Sequence, residues 1–167
     1  MVNFQFLTVR LGITILVIGL LLELYAGSVA AQELPVPRWA SLRSDEVNVR
    51  VGPGWDYPIL WVFVRHGLPL EITAEFNYWR RIRDIDGEEG WVHQRLLSGA
   101  RTVMVTGGIR TLRRAPDDPG PVLRAEAGVI GGLLECTRVW CRLEIEGNRG
   151  WLPRMQLWGV YPDEVVN

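Results

Sequence analysis

"YWRRIRDIDGEEGWVHQRLL", Tyr78 to Leu97, and "VWCRLEIEGNRGWLPRMQLW", Val139 to Trp158, decide the fold when set side by side. Each begins on a tryptophan after one residue and runs through an alternating stretch. Each then turns on acidic-Gly-x-x-Gly-Trp and closes on an apolar residue. The match extends upstream: "GLPLEITAEFNYW" (Gly67–Trp79) faces "GVIGGLLECTRVW" (Gly128–Trp140), and "NVRVGP" (Asn48–Pro53) faces "TLRRAP" (Thr111–Pro116). Self-similarity at a fixed period marks a repeated structural unit, so the chain reads as two copies of one unit joined near Ser98–Arg101.

Within each unit the pattern is that of short strands and turns. "VNVRV" alternates in the manner of a half-buried strand. "GPGWDYP" is punctuated by Gly and Pro as loops are. "ILWVFV", "LPLEITAEF" and "YWRRIRDI" are rich in β-branched and aromatic residues. No 3.6-residue apolar stripe long enough for a helix follows residue 31. The expectation is an all-β fold of two tandem small barrels.

These motifs, "VNVRVGPGWDYPIL", then "GLPLEI", then "YWRRIRDIDGEEGWVHQRLL", resemble the bacterial SH3-like domains of cell-envelope proteins. The first copy fits over its full length. The second keeps the "W…EGNRGWL" end but departs at its front, "IRTLRRAPDDPGPVL", where the Asn and the Tyr-Pro pair are missing. The resemblance implies a first SH3-like domain over 39–98, a degenerate second one over 101–160, and a tail over 161–167. It implies fold more than ligand, because one small barrel hosts many functions.

Ahead of the repeats, Arg10 is followed by "LGITILVIGLLL" and "ELYAGSVAAQE". A basic residue, a short apolar run and small residues form the anatomy of a secretory signal peptide over residues 1–31. The apolar run, Leu11–Leu22, falls short of the roughly 20 residues of a membrane-spanning helix. No cysteine near the cleavage positions offers a lipid attachment point. An exported protein of the periplasm or envelope is expected, with an uncleaved anchor as the alternative.

Composition narrows the chemistry. All 18 basic residues are arginine, so Schiff-base and Ser–Lys mechanisms are out of reach. A net charge of −1 gives no basic excess for nucleic acid. The two cysteines, Cys136 and Cys141, bracket "TRVW" at a strand-turn-strand transition. In an oxidising compartment they read as a structural disulfide in preference to a redox-active pair. His66 and His93 lie apart, with the thiols in the other repeat, so no metal site is expected. No cofactor is expected either. Asp86, Glu88 and Glu89 resemble an acid/base cluster when read alone. Beside the second copy, where Glu146, Asn148 and Arg149 stand in their places, they are the variable part of a glycine turn. No catalytic residues are assigned, and the chain is not expected to be an enzyme.

The eight tryptophans demand an explanation. Trp79, Trp91, Trp140 and Trp151 recur in register and are expected in the barrel cores, where aromatics bury much area. Trp55 and Trp61 do not recur; linear alignment sets Asp118 and Arg124 in their places. Trp55, Asp56 and Tyr57 lie in the long loop after "NVRVGPG". They either wall a ligand groove or cap the core. With Asn48, Trp61 and His93 they make up the candidate ligand-binding set. Arg50, which recurs as Arg113, is expected to be scaffold before ligand contact. The resemblance implies non-catalytic recognition of peptidoglycan peptides or of an envelope protein partner, or alternatively a structural scaffold of an envelope complex with no cell-wall ligand. Mass spectrometry of the exported protein is expected to find the mature N-terminus at Ala31 or Gln32; an intact Met1 contradicts the signal-peptide reading.

Overall fold

In the computed structural model, residues 34–167 are described, and the signal-peptide reading of residues 1–31 lies outside them. The first repeat forms β1 (Arg38–Leu42), β2 (Val47–Arg50), β3 (Ile59–Phe63), β4 (Pro69–Phe76), β5 (Trp79–Arg83), β6 (Glu89–His93) and the short β7 (Leu97–Ser98). The second forms β8 (Thr102–Val105), β9 (Arg110–Arg113), β10 (Pro121–Ala125), β11 (Ile130–Cys136), β12 (Trp140–Ile145), β13 (Asn148–Pro153) and β14 (Leu157–Trp158). One 3-10 turn follows β6 and another follows β13. The strand orders are β3-β2-β6-β5-β4-β1-β7 and β10-β9-β13-β12-β11-β8-β14. The second order is the first one over again, so the repeat seen in the sequence is a repeat in topology. The all-β expectation holds.

Alternation sets the two cores. Along β2, Val47 and Val49 point inward while Asn48 and Arg50 point out; along β12, Cys141, Leu143 and Ile145 do the same. The cores are aliphatic. Val49, Leu70, Ile82 and Val92 fill the first barrel, and Val103, Leu112, Leu143 and Leu152 the second. Each such side chain is worth about 1.5–3 kcal/mol when removed from water. This corrects the placement of the recurrent tryptophans. Only Trp79 is buried; Trp91, Trp140 and Trp151 are half-buried, and none of the four belongs to a core cluster. The pleat is the reason: Val92, Cys141 and Leu152 follow them directly and occupy the inside, so each preceding indole faces out.

The "DGEEG" segment is a turn, and its glycines do different work. In the first repeat Asp84 organises the loop: its Oδ1 accepts from the Asp86 and Glu88 N–H groups at 3.0 and 2.9 Å. In the second repeat a two-residue hairpin runs through Glu146 (φ 49°) and Gly147 (φ 77°), between the paired Ile145 and Asn148. Gly87 and Gly147 supply the positive φ that such turns require. Gly90 and Gly150 do not: they lie within strands, where β6 crosses β2 and β13 crosses β9. A Cβ on Gly90 meets Val49 Cγ1 at 2.3 Å and the Arg50 carbonyl at 3.2 Å; one on Gly150 meets Leu112 Cβ at 2.8 Å and the Arg113 carbonyl at 3.0 Å. Glu89 is not at the tip either. It sits on β6, ion-paired with Arg81 at 2.5 Å and with Arg83 at 3.5 Å.

Cys136 and Cys141 are disulfide-bonded, as expected. They are direct partners across the β11–β12 hairpin and are buried in the second core. Closing so short a loop stabilises by about 2 kcal/mol in the chain-entropy account.

The two barrels meet along β1, β8 and the segment after β14. Trp39 packs edge-on against Trp158 with ring centroids 4.9 Å apart, and Tyr161 lies 5.3 Å from Trp39. The Tyr161 hydroxyl donates to Glu71 Oε1 at 2.8 Å. Burial first, and then that carboxylate, push the phenol well above its usual range. Thr102 donates to the Gly67 carbonyl at 2.6 Å, and the Ser41 hydroxyl sits 2.6 Å from Thr102 Oγ1 and 2.7 Å from the Ala100 carbonyl. Residues 161–166, which carry Tyr161, are themselves fixed on the second barrel. Glu164 receives the Arg101 fork, the buried Arg154 donates to the carbonyls of Thr137, Tyr161 and Glu164, and Val166 bridges to Cys136. Burial alone would raise Glu164, but the hydrogen bonds from Arg101 and the Tyr161 N–H outweigh it and hold the carboxyl below its ordinary value.

Gly90→Ala is expected to cost about 1–3 kcal/mol through overpacking against the core. Gly87→Ala, whose Cβ meets nothing, is expected to cost only the roughly 1 kcal/mol of a left-handed residue. Urea denaturation of the two variants checks the order; a Gly90→Ala protein as stable as wild type would remove the close-approach argument.

Candidate functional site

The site is assembled by the loop between β2 and β3 folding over the end of the β5–β6 hairpin. Arg50, the last residue of β2, pairs with Trp91 on β6 and donates from Nη1 to the Tyr57 carbonyl at 2.7 Å. This bond pulls the loop back onto the sheet. Tyr57 itself lies over Gly52 and Gly54, whose missing side chains leave room for the ring: a Cβ on Gly52 would come within 2.4 Å of it.

The folded loop presents Trp55, 52% exposed, as the outer surface of an aromatic cluster. Its ring stacks on His93 at 5.2 Å with planes 21° apart and meets Trp79 edge-on at 5.0 Å. Tyr78 stacks on the His93 ring at 6.2 Å, and Trp79 meets His93 edge-on at 5.4 Å. The guanidinium groups of Arg50 and Arg95 lie 5.6 and 5.1 Å from the Trp55 ring centroid, within cation–π range. Trp79 is therefore the floor of this cluster rather than part of the aliphatic core.

His93 is held in place by its position ahead of the 3-10 turn Gln94–Leu96. Its Nδ1 accepts from the Arg95 N–H at 3.2 Å, which leaves the proton of the neutral ring on Nε2. Burial and the charges of Arg95 and Arg80 push its pKa below the ordinary value. Arg80 is itself fixed by Gln94 at 2.6 Å and Glu75 at 3.0 Å. The locus is cationic and aromatic, with Asp56 exposed beside it.

Of the candidates read from the sequence, the structure brings Trp55, Asp56, Tyr57 and His93 to this one place, with Tyr57 as loop filler. Asn48 lies on the outer face of β2, two residues before Arg50, opposite Val62. Trp61 goes elsewhere: it packs on the first core beside Phe63, with rings 6.0 Å apart. Tyr78, Trp79 and Arg95 join the cluster from outside the candidate set that the sequence marks. Their signal was present in "NYW" and "HQR", the two ends of a hairpin that register pairs as Trp79 with His93.

The same register identifies the corresponding place in the second barrel. Trp140 pairs with Pro153 as Trp79 pairs with His93, so Val139, Pro153 and Met155 stand where Tyr78, His93 and Arg95 stand. They line an apolar groove of about 420 Å³. The loop lacks a Trp55: Asp118 Oδ1 accepts from the Gly120 N–H at 2.8 Å, and Arg113 lies 5.3 Å from the Trp140 ring instead. The linear alignment of Trp61 with Arg124 is also corrected. Val49 faces Trp61 and Leu112 faces Leu123, so Leu123 is the counterpart of Trp61.

The profile of the bacterial SH3 domain matches residues 43–99 and 107–159. The chain belongs to the bacterial SH3 domain family. The matches span β2–β7 and β9–β14, so the second, divergent copy is a bacterial SH3 domain as well. No curated protein matches the chain. Among solved structures it is similar to NlpC2 from Trichomonas vaginalis, with 13% identity and a TM-score of 0.35 over 75% of this chain and 49% of that one. It is also similar to NlpC1 from the same organism, with 15% identity and a TM-score of 0.34 over 77% and 48% of the two chains. An NlpC/P60 family protein from Bacillus cereus ATCC 10987 matches with 12% identity and a TM-score of 0.34, over 72% of this chain and 55% of that one. The chain spans about half the length of these structures.

His93 is expected to titrate below 6.5 in the folded protein. As pH falls through 6.5 the unfolded chain takes up this proton first, so the contribution of His93 lowers stability on the acid side. NMR titration of the imidazole checks it, and Arg95→Gln should raise the midpoint; a midpoint at or above 6.5 contradicts the geometry.

Proposed function

We propose that this protein is an exported, non-catalytic binding protein of the bacterial cell envelope, and that its first SH3 domain recognises peptidoglycan peptides through the Trp55 cluster, with an envelope protein partner as the alternative ligand. The observation that carries this reading is the Trp55 ring, half-exposed, seated on His93 and Trp79 and flanked by two guanidinium groups. An aromatic face beside arginines offers apolar contact to the stem of a short peptide and charge-assisted hydrogen bonds to its carboxylates. Export and envelope location rest on the N-terminal sequence pattern. The second domain has Val139, Pro153 and Met155 where the first has Tyr78, His93 and Arg95, and its loop has no counterpart of Trp55, so the first domain carries the binding.

Co-sedimentation with purified peptidoglycan sacculi tests the reading. Wild type is expected to sediment, and Trp55→Ala to lose affinity by about thirtyfold, the scale of a central aromatic hot spot. Met155→Ala, at the matching place in the second domain, is expected to bind as wild type does. Absence of sedimentation by wild type removes the peptidoglycan ligand; equal binding by Trp55→Ala removes the site.

A further inference from the structure

The arginines around the Trp55 cluster differ in what their donors already hold. Arg80 is fully engaged: Nη1 donates to the Asn77 and Trp79 carbonyls at 2.8 and 3.0 Å, Nη2 donates to Gln94 at 2.6 Å, and Nε lies 3.0 Å from Glu75. Arg50 is engaged in part, since its Nη1 holds the Tyr57 carbonyl. Arg95 is different. Its side chain is exposed, and among the described residues its guanidinium makes no hydrogen bond and no ion pair. It is positioned all the same. The Arg95 N–H is tied to His93 Nδ1, and the guanidinium lies 5.1 Å from the Trp55 ring centroid. Asp56, the carboxylate that the loop sets next to Trp55, pairs with neither Arg50 nor Arg95. The cluster therefore presents a charged, planar set of donors that has no acceptor of its own.

We infer that Arg95 is the specificity-determining residue of this site, and that it selects peptides bearing an ionised carboxylate over the same peptides bearing a carboxamide. The inference rests on the peptide-binding reading of the Trp55 cluster and narrows its ligand. A guanidinium offers parallel N–H groups that the two oxygens of a carboxylate accept as a pair. A carboxamide has one oxygen, sets an NH2 donor against the other N–H, and carries no charge. The seat on Trp55 limits where the fork can point, so less freedom is lost when the ligand arrives.

A carboxylate on Arg95 has a consequence at His93. The imidazole is faced by Arg95 on its own turn, by Arg80 on β5 with Glu75 behind it on β4, and by Tyr78; beyond Trp55 stand Arg50 on β2 and Asp56 on the loop. No carboxylate forms an ion pair with His93 among the described residues. The charges of Arg95 and Arg80 oppose its protonation. A ligand carboxylate on Arg95 offsets the first of these, so binding raises the His93 midpoint. By linkage the ligand then binds more tightly as pH falls toward that midpoint. Protonation breaks the bond at Nδ1 with or without ligand, so the bond drops out of the difference.

Sacculi whose carboxylates have been converted to carboxamides with carbodiimide and ammonia, set beside untreated sacculi, are the probe. Wild type is expected to bind the untreated sacculi about fivefold more tightly, the upper range of an exposed ion pair. Arg95→Gln should bind both alike, at the level of wild type on the amidated sacculi. Arg95→Lys, which keeps the charge without the fork, should fall between. Arg113→Gln, at the arginine over Trp140 on the second barrel, should keep the full preference, which separates recognition from general attraction to a charged wall. NMR of the imidazole with soluble stem peptides released from the same sacculi gives a readout that a purely structural role does not move. The His93 midpoint should rise in wild type and stay in place in Arg95→Gln. Equal binding of wild type to both sacculi, or a preference that survives Arg95→Gln, overturns the inference and leaves the Trp55 reading standing. An unmoved His93 midpoint in wild type saturated with peptide does the same. Absence of binding to either kind of sacculus removes the reading itself, and the inference with it.

Discussion

No side chain fits where β6 crosses β2, and the first barrel depends on that. Gly90 lets the strand approach until its own position is in contact with Val49 and the Arg50 carbonyl. The approach closes the barrel over Val49, Ile82 and Val92, and it brings Arg50 opposite Trp91. Arg50 is then placed to hold the Tyr57 carbonyl and to lie over Trp55. The loop that carries the exposed indole is thus positioned by a backbone contact some distance from it. Gly150 does the same for the second barrel with Leu112 and Arg113, and there the arginine covers Trp140 because the loop offers no other ring.

The two barrels therefore share a frame and differ in what the frame displays. At equivalent register positions the first shows Tyr78, His93 and Arg95 and the second Val139, Pro153 and Met155. At equivalent edges the first shows Ile59–Phe63 and the second Pro121–Ala125. Interiors change little because both are packed with Val, Leu and Ile at fixed positions, where volume changes are costly. Outer faces and loops carry no such constraint, and the functional differences gather there.

The contact between the barrels has a different character. It joins Trp39, Ser41 and Glu71 of the first barrel with Thr102, Trp158 and Tyr161, while Arg101 and Arg154 fix the segment that carries Tyr161 on the second barrel. Aromatic area gives the attraction, and the polar bonds satisfy the groups that come out of water with it. Trp39 falls outside the match between the repeats, Trp158 closes it with no tryptophan opposite, and no local pattern announces that they meet.

The sequence by itself determined the fold class, the duplication, the disulfide and the glycine turn. Each rests on a short-range rule: alternation along a strand, two glycines before a tryptophan, two cysteines across a hairpin. It also marked Trp55, Tyr57 and His93, because a non-recurring aromatic loop stands out against a repeat. Only the tertiary structure decided which way the recurrent tryptophans face. Periodicity gives alternation but not its phase, and Val92, Cys141 and Leu152 had already claimed the inside. Only the structure, too, decided that Gly90 serves a close approach instead of a turn, that Trp61 joins the core while Trp79 floors the site, and that Leu123 replaces Trp61. These depend on which strand lies against which and on bulges that shift pairing by one residue, and neither is written in any local stretch of chain.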